Sequence, residues 1–277
     1  MDFMDSLEPE SIDLIYIDPP FFCQRDFKNK DGIGFSDKWP SREAYLNFMR
    51  ARLDKMAILL KDTGVLALHC DQRINHHLRM MLDAVFGEKN FVNEIIWSYR
   101  GRGCLRELKY YRKKHDVIFI YAKGVKYFSD VQKGPLSKST LDRFKKLFNK
   151  NGVITEKRMK EMEPGSYNTR VRHGLIKGID NRVIYDKNRG AQFTDVWSDL
   201  PTVPSNHSDY PTQKPEKLLE RIVKSFCPED GTVADFFCGS GATLVAAQKL
   251  NRKYLGCDAN PDAIKIANRR LIEEILK

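Results

Sequence analysis

The sequence of 277 residues contains no long apolar run. No stretch reaches the roughly 18 consecutive apolar residues that a transmembrane helix needs, so the sequence predicts no membrane span. The start of the chain also lacks the basic region and apolar core that mark a secretory signal. These absences predict an intracellular protein with no membrane partner. A chain of this length can bury a full core and is expected to form one main domain with an insertion.

Cysteine is scarce, and its spacing argues against a metal site. The six cysteines form no Cys-x-x-Cys pair and no Cys/His ladder of the kind that binds zinc. Several fall in apolar, strand-like segments, where a reduced cysteine behaves as a small hydrophobic residue. We therefore expect structural cysteines rather than metal ligands or disulfides at Cys23, Cys70, Cys104, Cys227, Cys238 and Cys257.

Negative charge is depleted in the middle of the chain. The segment from Arg100 to Arg189 holds 24 Lys and Arg against 9 Asp and Glu, a balance of +15. The rest of the chain carries −5, which gives the overall net charge of +10. A basic segment within a slightly acidic remainder indicates that the middle of the chain binds phosphate.

Short apolar runs alternate with amphipathic segments on both sides of this basic region. Strands are predicted at 12–17, 65–70, 91–97, 117–121, 231–237 and 254–257, and helices at 41–64, 73–86, 215–226, 242–250 and 260–275. Such alternation predicts an α/β fold with a doubly wound, mainly parallel sheet. Phe22–Pro40 is predicted to be a polar loop, and the weak periodicity from Lys123 to about Arg189 predicts an insertion.

Two turns that follow predicted strands carry the most informative residues. Asp18-Pro19-Pro20-Phe21 offers a carboxylate, a backbone carbonyl and a flat ring, which together can hold an amino group on a planar base. Gly239-Ser240-Gly241 follows Asp235 and permits close approach of the backbone to a small molecule. Because ligands bind beyond the carboxyl ends of parallel strands, we expect the two turns to form one site.

In this order and spacing, these segments resemble the amino-methylating DNA methyltransferases that use S-adenosylmethionine. The resemblance is to the permuted (beta) group, in which the catalytic turn precedes the cofactor turn, and it covers nearly the whole chain. It implies a Rossmann-like methyltransferase sheet with a catalytic half at 1–122, a basic target-recognition insertion at 123–190 and a cofactor-binding half at 191–277. Besides the two turns, the matching segments are Phe35–Trp39, Asn93–Trp97, His115–Lys123, Asp195–Trp197, Thr212–Leu218 and Gly256–Pro261.

The resemblance implies that Asp18, Pro19, Pro20 and Phe21 catalyse methyl transfer to adenine N6 of a base flipped out of duplex DNA. Asp18 and the Pro19 carbonyl would accept the amino hydrogens, and Phe21 would stack on the base. The implied cofactor is S-adenosyl-L-methionine, and no metal is implied. The residues expected to bind the cofactor are Asp235, Phe236, Phe237, Gly239, Ser240, Gly241, Thr243, Asp258, Ala259 and Lys214.

The first residue of the catalytic turn bears on which base is methylated. In the resembling family, Asp at this position generally accompanies adenine N6 methylation and Ser accompanies cytosine N4 methylation. Asp18 therefore favours adenine, with cytosine N4 as the alternative. The sequence has no Pro-Cys dipeptide, which disfavours methylation of a cytosine ring carbon. A catalytically silent DNA-binding protein on the same scaffold, or an RNA or protein methyltransferase, stays open as a further alternative.

The basic segment is expected to contact double-stranded DNA, mostly through phosphate. His115 is expected to be a core or hydrogen-bonding histidine rather than a catalytic one. The resemblance also implies a prokaryotic, cytoplasmic protein and leaves open a cognate restriction endonuclease and a homodimer as partners. The residues expected to contact DNA are Arg100, Arg102, Arg106, Lys109, Arg112, Lys113, Arg170 and Arg172.

Overall fold

The computed structural model describes residues 1–29, 32–99, 109–176, 179, 182–204, 208 and 210–276. The chain divides into two compact units, of which one comprises Met1–Asp130 with Thr194–Lys277 and the other comprises Val131–Phe193. The predicted DNA contacts Arg100, Arg102 and Arg106 lie outside the described residues. Among the described residues, no helix has both the length and the apolar character needed to cross a membrane.

The first unit is built on one central sheet. Its elements up to residue 130 are α1 (Asp2–Asp5), β1 (Ile12–Ile17), β2 (Arg25–Lys28), β3 (Gly34–Asp37), α2 (Arg42–Leu59), β4 (Leu60–Cys70), α3 (Asn75–Phe86), β5 (Phe91–Ser98) and β6 (His115–Ala122). The second unit contains β7 (Lys133–Gly134), α4 (Lys138–Arg143), β8 (Val153–Thr155), α5 (Glu156–Met162), α6 (Pro164–Arg172), β9 (Val183–Asp186) and β10 (Ala191–Gln192). The first unit then resumes with β11 (Val196–Trp197), α7 (Glu216–Phe226), β12 (Thr232–Asp235), α8 (Ala242–Lys249), β13 (Lys253–Gly256) and α9 (Pro261–Ile275).

In the described part of the chain the central sheet has seven strands in the order β11-β5-β6-β4-β1-β12-β13. Its pairs are parallel except that β6 runs antiparallel to both of its neighbours. The α/β fold with a mainly parallel sheet is therefore confirmed. The late strands β12 and β13 lie beside the early strand β1, so the two ends of the chain share one side of the sheet.

Helices cover both faces of the sheet, which explains why β1 is buried along its whole length. Ile15 and Ile17 pack into a core cluster with side chains of α2 and α3. Leu14 and Tyr16 point to the other face and pack in a cluster with α7. Alternate residues of β1 thus pack into two different core clusters. Because both of its faces are buried, the strand appears as a nearly continuous apolar run in the sequence.

The first long helix starts as predicted but ends earlier. The Ser41 hydroxyl accepts a hydrogen bond from the Ala44 amide at 3.0 Å and caps α2. The predicted end at Gly64 is wrong, because α2 ends at Leu59 and β4 starts at once. A Cβ on Gly64 would lie 3.0 Å from the Ile12 carbonyl oxygen, so this glycine permits close strand approach rather than terminating the helix.

The prediction of a polar loop over Phe22–Pro40 is also wrong. Its described residues include an antiparallel hairpin of β2 and β3, in which Phe27 lies opposite Phe35. The two rings stack with centroids 5.0 Å apart. Cross-strand aromatic pairs of this kind stabilise short strands that carry little apolar periodicity.

The second unit has its own small core. Phe144, Leu147 and Met159 are buried in a cluster with Ile154 and Tyr167. In the described residues of this unit, β7 pairs with β10 and β8 pairs with β9, both antiparallel. The second unit spans Val131–Phe193, so its bounds differ at both ends from those of the predicted insertion, 123–190.

The segment before the second unit stays with the sheet unit. The Lys123 amide donates a hydrogen bond to the Gly64 carbonyl at 2.9 Å. The Lys123 ammonium reaches the Leu60 carbonyl at 2.7 Å. These two bonds fix the chain beyond β6 against β4, which explains why Lys123 belongs to the first unit.

Candidate active site

The two turns lie at the carboxyl ends of neighbouring parallel strands. β1 pairs with β12 through Leu14 and Val233, so Asp18 follows one strand and Asp235 ends the next. Both aspartates line a cavity of about 690 Å³. This volume lies within the range of small-molecule sites. Asp18 and Pro20 of the Asp-Pro-Pro-Phe turn line this cavity together with Gly239 and Ser240 of the glycine turn, whereas Pro19, Phe21 and Gly241 do not.

The Asp-Pro-Pro-Phe turn is held by the Asp37 carboxylate, which is almost fully buried. It accepts hydrogen bonds from the backbone amides of Phe21, Phe22 and Cys23 at 3.0, 3.0 and 2.8 Å. It also accepts one from the indole nitrogen of Trp39 at 2.9 Å. A carboxylate that accepts several amide hydrogens fixes the backbone around it. Asp37 therefore sets the shape of the turn from the end of β3.

A second bond supports the turn from α2. The Tyr45 hydroxyl donates to the Pro20 carbonyl at 2.8 Å. Phe22 and Gln24 have left-handed backbone φ angles of 59° and 56°, which non-glycine residues adopt only at some cost. Because surrounding bonds hold these conformations, the turn keeps a defined shape next to the cavity.

Asp18 has one oxygen engaged and one oxygen open. Its Oδ2 forms an ion pair with the Lys214 ammonium, which comes from the other end of the chain. Its Oδ1 is buried and has no hydrogen-bond partner among the described residues. Lys214 also lies 5.4 Å from the centroid of the Phe21 ring. Lys214 lines the cavity as well, so it joins the catalytic turn to the wall of the cavity.

The glycine turn depends on backbone angles that favour glycine. Gly239 and Gly241 have φ angles of +49° and +73°. A Cβ on Gly241 would lie 2.7 Å from the Cβ of Ala267, and one on Gly239 would lie 3.3 Å from the Tyr210 ring. Both positions therefore combine a left-handed conformation with close packing, which leaves little room for a side chain.

Asp235 braces this turn from inside. Its carboxylate accepts hydrogen bonds from the Phe237 amide at 3.0 Å and the Thr243 hydroxyl at 2.6 Å. Burial raises the pKa of Asp235 to about 7, against the effect of those two bonds, and the charges of Asp18 and Asp258 add to the rise. Asp235 and Thr243 therefore shape the turn as well as lining the cavity.

Ser240 is braced from the terminal helix. Arg270 donates to the Ser240 carbonyl at 2.8 Å and to its hydroxyl at 2.9 Å. The same guanidinium pairs with Glu216 of α7 at 2.7 Å. The Ser240 hydroxyl also donates to the Gln213 side-chain oxygen at 3.2 Å. Ser240 is almost fully buried, and these contacts hold the turn against α9.

The remaining predicted cofactor residues lie on the walls of the cavity. Asp258 accepts hydrogen bonds from the amides of Gly239 and Asn260, both at 2.9 Å. Phe236, Phe237 and Ala259 line the same space. The site therefore combines a strand-end carboxylate, two aromatic rings and a backbone turn, an arrangement suited to a nucleoside with a polar tail.

Comparison with known proteins places the chain in a family. A family model described as DNA methylase, of the N6 and N4 type, matches residues 12–269. The chain belongs to this DNA methylase family. It is 28% identical to the type II methyltransferase M.EcaI of Enterobacter cloacae over 95% of its length. It is 26% identical over 88% of its length to the Mod subunit of the type III restriction-modification enzyme StyLTI of Salmonella typhimurium.

The chain spans 65% and 47% of the lengths of these two relatives. Among solved structures, it is similar to the DNA modification methylase TTHA0409 of Thermus thermophilus, whose crystal structure holds S-adenosyl-L-methionine. The two share 19% identity and a TM-score of 0.58 over 99% of this chain and 90% of the other. At this identity the likeness supports the fold alone.

The predicted DNA contacts that lie among the described residues fall into two groups. Lys109, Arg112 and Arg172 are exposed. Lys113 instead forms ion pairs with Asp71 at 2.6 Å and Asp116 at 2.8 Å. The Lys113 ammonium is therefore already neutralised within the protein.

Arg170 is engaged within the second unit. Its guanidinium donates to the Tyr185 hydroxyl at 2.8 Å and lies 5.2 Å from the Phe144 ring centroid. Both of these side chains belong to the small core of that unit or pack against it. The sequence could not separate such engaged basic residues from the exposed ones, because composition does not report contacts.

Several residues that shape the site did not stand out in the sequence. Asp37 lies in a segment that carries the family resemblance, but its role as an acceptor for four N–H groups depends on folding. Tyr45 was visible only as one member of a helical apolar face. Tyr16 precedes Asp18 by two residues and lines the cavity, a spacing that places both on one side of an extended chain. Arg270 had no sequence signal.

Proposed function

We propose that this methylase transfers a methyl group from S-adenosyl-L-methionine to adenine N6 of a base flipped out of duplex DNA. The observation that carries this proposal is that Asp18 lines the cavity that the glycine turn also lines and has one carboxylate oxygen, Oδ1, with no hydrogen-bond partner among the described residues. An acceptor without a partner in the described part of the protein suits an amino hydrogen of a substrate.

The chemistry requires positioning and electrostatics. Adenine N6 is a poor nucleophile because its lone pair is delocalised into the ring. When the Asp18 oxygen and the Pro19 carbonyl accept its two hydrogens, the nitrogen shifts toward tetrahedral geometry and its lone pair becomes available. Phe21 stacks on the base. Since this atom cannot be reached inside a duplex, the base must first leave the helix.

The cavity residues fit the proposed cofactor. Asp258 offers a carboxylate to the ribose hydroxyls, and Phe236 and Phe237 offer apolar surface. Lys214 lines the cavity while its ammonium neutralises Asp18. When bound, S-adenosyl-L-methionine supplies the methyl group to be transferred.

The choice of adenine and of the permuted group rests on the two turns. Asp18 is the residue that accompanies adenine N6 methylation in the resembling proteins, and cytosine N4 is the alternative because it presents the same amino group. The catalytic turn precedes the glycine turn in the chain, which supports membership of the permuted group.

We assign target recognition to the basic middle of the chain, segment 123–190, with Lys109 and Arg112 just before it. Segments 1–122 and 191–277 would then form the catalytic and cofactor-binding halves. A restriction endonuclease partner is consistent with the restriction-modification name of one relative. A homodimer and a cytoplasmic location stay predictions.

One assay tests the function. The protein is incubated with methyl-labelled S-adenosylmethionine and, separately, duplex DNA, RNA and a protein mixture, and the DNA is digested to nucleosides. We expect label in N6-methyl-2′-deoxyadenosine from DNA alone. Label in N4-methyl-2′-deoxycytidine would select the alternative, and label only in RNA or protein would overturn the proposal. Tight DNA binding without label would indicate a silent scaffold.

A further inference from the structure

A buried chain of polar groups runs behind the catalytic turn. The Tyr16 hydroxyl lies 2.9 Å from Nδ1 of His69, which is fully buried. The other ring nitrogen, Nε2, lies 3.4 Å from Oδ2 of Asp116. The opposite oxygen of Asp116 pairs with Lys113 at 2.8 Å. His69 also lies beside the Phe21 ring, with centroids 5.7 Å apart. Because burying polar groups costs free energy, this set of linked side chains indicates a role beyond packing.

The neighbours of His69 indicate which nitrogen carries the proton. Nε2 faces a carboxylate, and a lone pair in that position would be repelled, so Nε2 carries the hydrogen. At 3.4 Å the contact between Nε2 and Asp116 is longer than an ordinary hydrogen bond. The carboxylate charge attracts the N–H of the ring at this distance. In the neutral ring with its hydrogen on Nε2, Nδ1 is the acceptor and the Tyr16 hydroxyl donates to it.

This polarity leaves the lone pairs of the Tyr16 oxygen free to accept. Tyr16 lines the cavity with Asp18 and Asp235. Burial, followed by the charges of Asp18, Asp235 and Asp116, holds the pKa of Tyr16 well above its ordinary value. The hydroxyl therefore keeps its proton and continues to donate to His69.

We propose that Tyr16 is a further catalytic residue, whose oxygen shares with the Asp18 carboxylate the amino hydrogen directed at Asp18, while the second hydrogen goes to the Pro19 carbonyl. His69 and Asp116 are positioning residues that orient this oxygen. The inference rests on the proposed function, because it needs an amino group in the cavity. As methyl transfer proceeds, the nitrogen gains positive charge and its hydrogens become stronger donors. A fixed neutral acceptor is then worth more in the transition state than in the ground state.

The test measures the single-turnover rate of methyl transfer to DNA at saturating cofactor. Tyr16→Phe should lower this rate about tenfold or more, as expected for one lost hydrogen bond to a developing charge, with cofactor and DNA affinities within about twofold of wild type. The matched control is Tyr121→Phe. Tyr121 is also fully buried in the sheet and its hydroxyl donates to the Asp83 carboxylate. This variant should have a lower melting temperature than wild type but should transfer the methyl group at the wild-type rate.

Replacement of His69 separates positioning from packing. His69→Asn keeps an acceptor near the Nδ1 position and should retain more of the rate than His69→Leu, which offers Tyr16 no acceptor. Asp116→Asn keeps the shape of the network, removes its charge and should lower the rate severalfold.

A wild-type rate in Tyr16→Phe would overturn the inference. So would a loss in which the rate, cofactor affinity and melting temperature fall together. If Tyr16→Phe does not fold, Asp116→Asn decides, and a wild-type rate in that variant overturns the inference. A wild-type protein that methylates no DNA would instead sink the proposed function itself.

Discussion

At the scale of single residues, the site is a set of carboxylates with different partners. Asp18 keeps one oxygen open, whereas Asp37 and Asp235 accept N–H and O–H donors from their own turns. Asp258 accepts two backbone amides. The aspartates of the site therefore differ in role. Those whose oxygens already accept hydrogen bonds from the protein hold the backbone, and the one with an unpaired oxygen can bind a ligand.

The glycine turn and Asp258 lead to a prediction on cofactor affinity. Gly239→Leu should weaken binding of S-adenosylmethionine at least about tenfold, because a side chain there meets Tyr210 and demands an unfavourable φ. Asp258→Ala should also weaken it, since the proposed ribose acceptor and the hydrogen bond to the Gly239 amide are both lost. Calorimetric titration measures the affinity. Unchanged affinity in both variants would place the cofactor elsewhere.

Asp235 makes part of the stability depend on pH. Its pKa is about 7 in the folded protein and 3.8 in a solvated chain, so the folded state retains the proton over that interval. The contribution of Asp235 to the free energy of unfolding is fully present below pH 3.8 and is lost as the pH rises toward 7. Asp235→Asn, which stays neutral, should remove a few kcal/mol of this decline in the free energy of unfolding.

Urea unfolding of wild type and Asp235→Asn measures this difference, at several pH values from about 4.5 to about 7.5. The gap between the two free energies of unfolding should change steadily with pH. Curves that stay parallel across the range would show that Asp235 does not carry the effect.

At the scale of elements, the hairpin of β2 and β3 links the two ends of the chain. Its Asp37 holds the catalytic turn, and its Gly34 carbonyl accepts a hydrogen bond from the Asn260 side chain at 2.7 Å. Phe35 stacks with Tyr210, with centroids 6.2 Å apart. We predict that this segment is mobile without DNA and orders over the flipped base. Hydrogen exchange with and without DNA measures it.

Asp37→Asn should lower the transfer rate about tenfold or more while cofactor affinity stays within about twofold of wild type. The amide cannot accept all four N–H donors, so the catalytic turn loses its fixed shape, at a stability cost of about 1–3 kcal/mol. Asp26→Asn is the matched control, because Asp26 lies on the same hairpin but pairs with Lys38 at the surface. Equal rates in both variants would contradict a positioning role for Asp37.

Sequence alone predicted the strands better than the hairpin or the helix end. β1 is buried along its whole length and β4 over most of it, and their apolar runs make them visible. The hairpin strands are four residues each and carry charge, and the stacked pair Phe27 and Phe35 that joins them is a cross-strand contact that the sequence does not report. Gly64 was misread because a helix-ending glycine and a close-approach glycine look the same in a sequence.

Some parts of the site could be predicted from the sequence and others could not. The turns were visible as motifs, since each is a local pattern. The Asp18–Lys214 pair joins residues 196 positions apart, and no local pattern reports it. The same holds for the Tyr16–His69 bond, which spans 53 positions.

At the scale of the whole molecule, charge is segregated along the chain. The middle of the chain carries the positive balance and the remainder is slightly acidic. A protein that neutralises several phosphates releases counterions, so its DNA affinity should fall steeply with added salt.

Replacing single exposed basic residues should change that salt dependence. Lys109→Ala, Arg112→Ala and Arg172→Ala should each reduce the slope of log affinity against log salt by about one. Lys224→Ala is the control, since Lys224 is exposed on α7 outside the basic segment. Fluorescence anisotropy with duplex DNA measures the slope. An affinity independent of salt would contradict phosphate as the main attraction.

We propose that two distant segments of the chain form one methyl-transfer site, with Asp18 acting on the base and the glycine turn holding the cofactor. The most direct test is the single-turnover rate of Asp18→Ala at saturating cofactor, with the cofactor affinity titrated on the same sample. We predict a rate reduced by about a thousandfold or more and an affinity within about threefold of wild type. A near-normal rate in this variant would contradict the account.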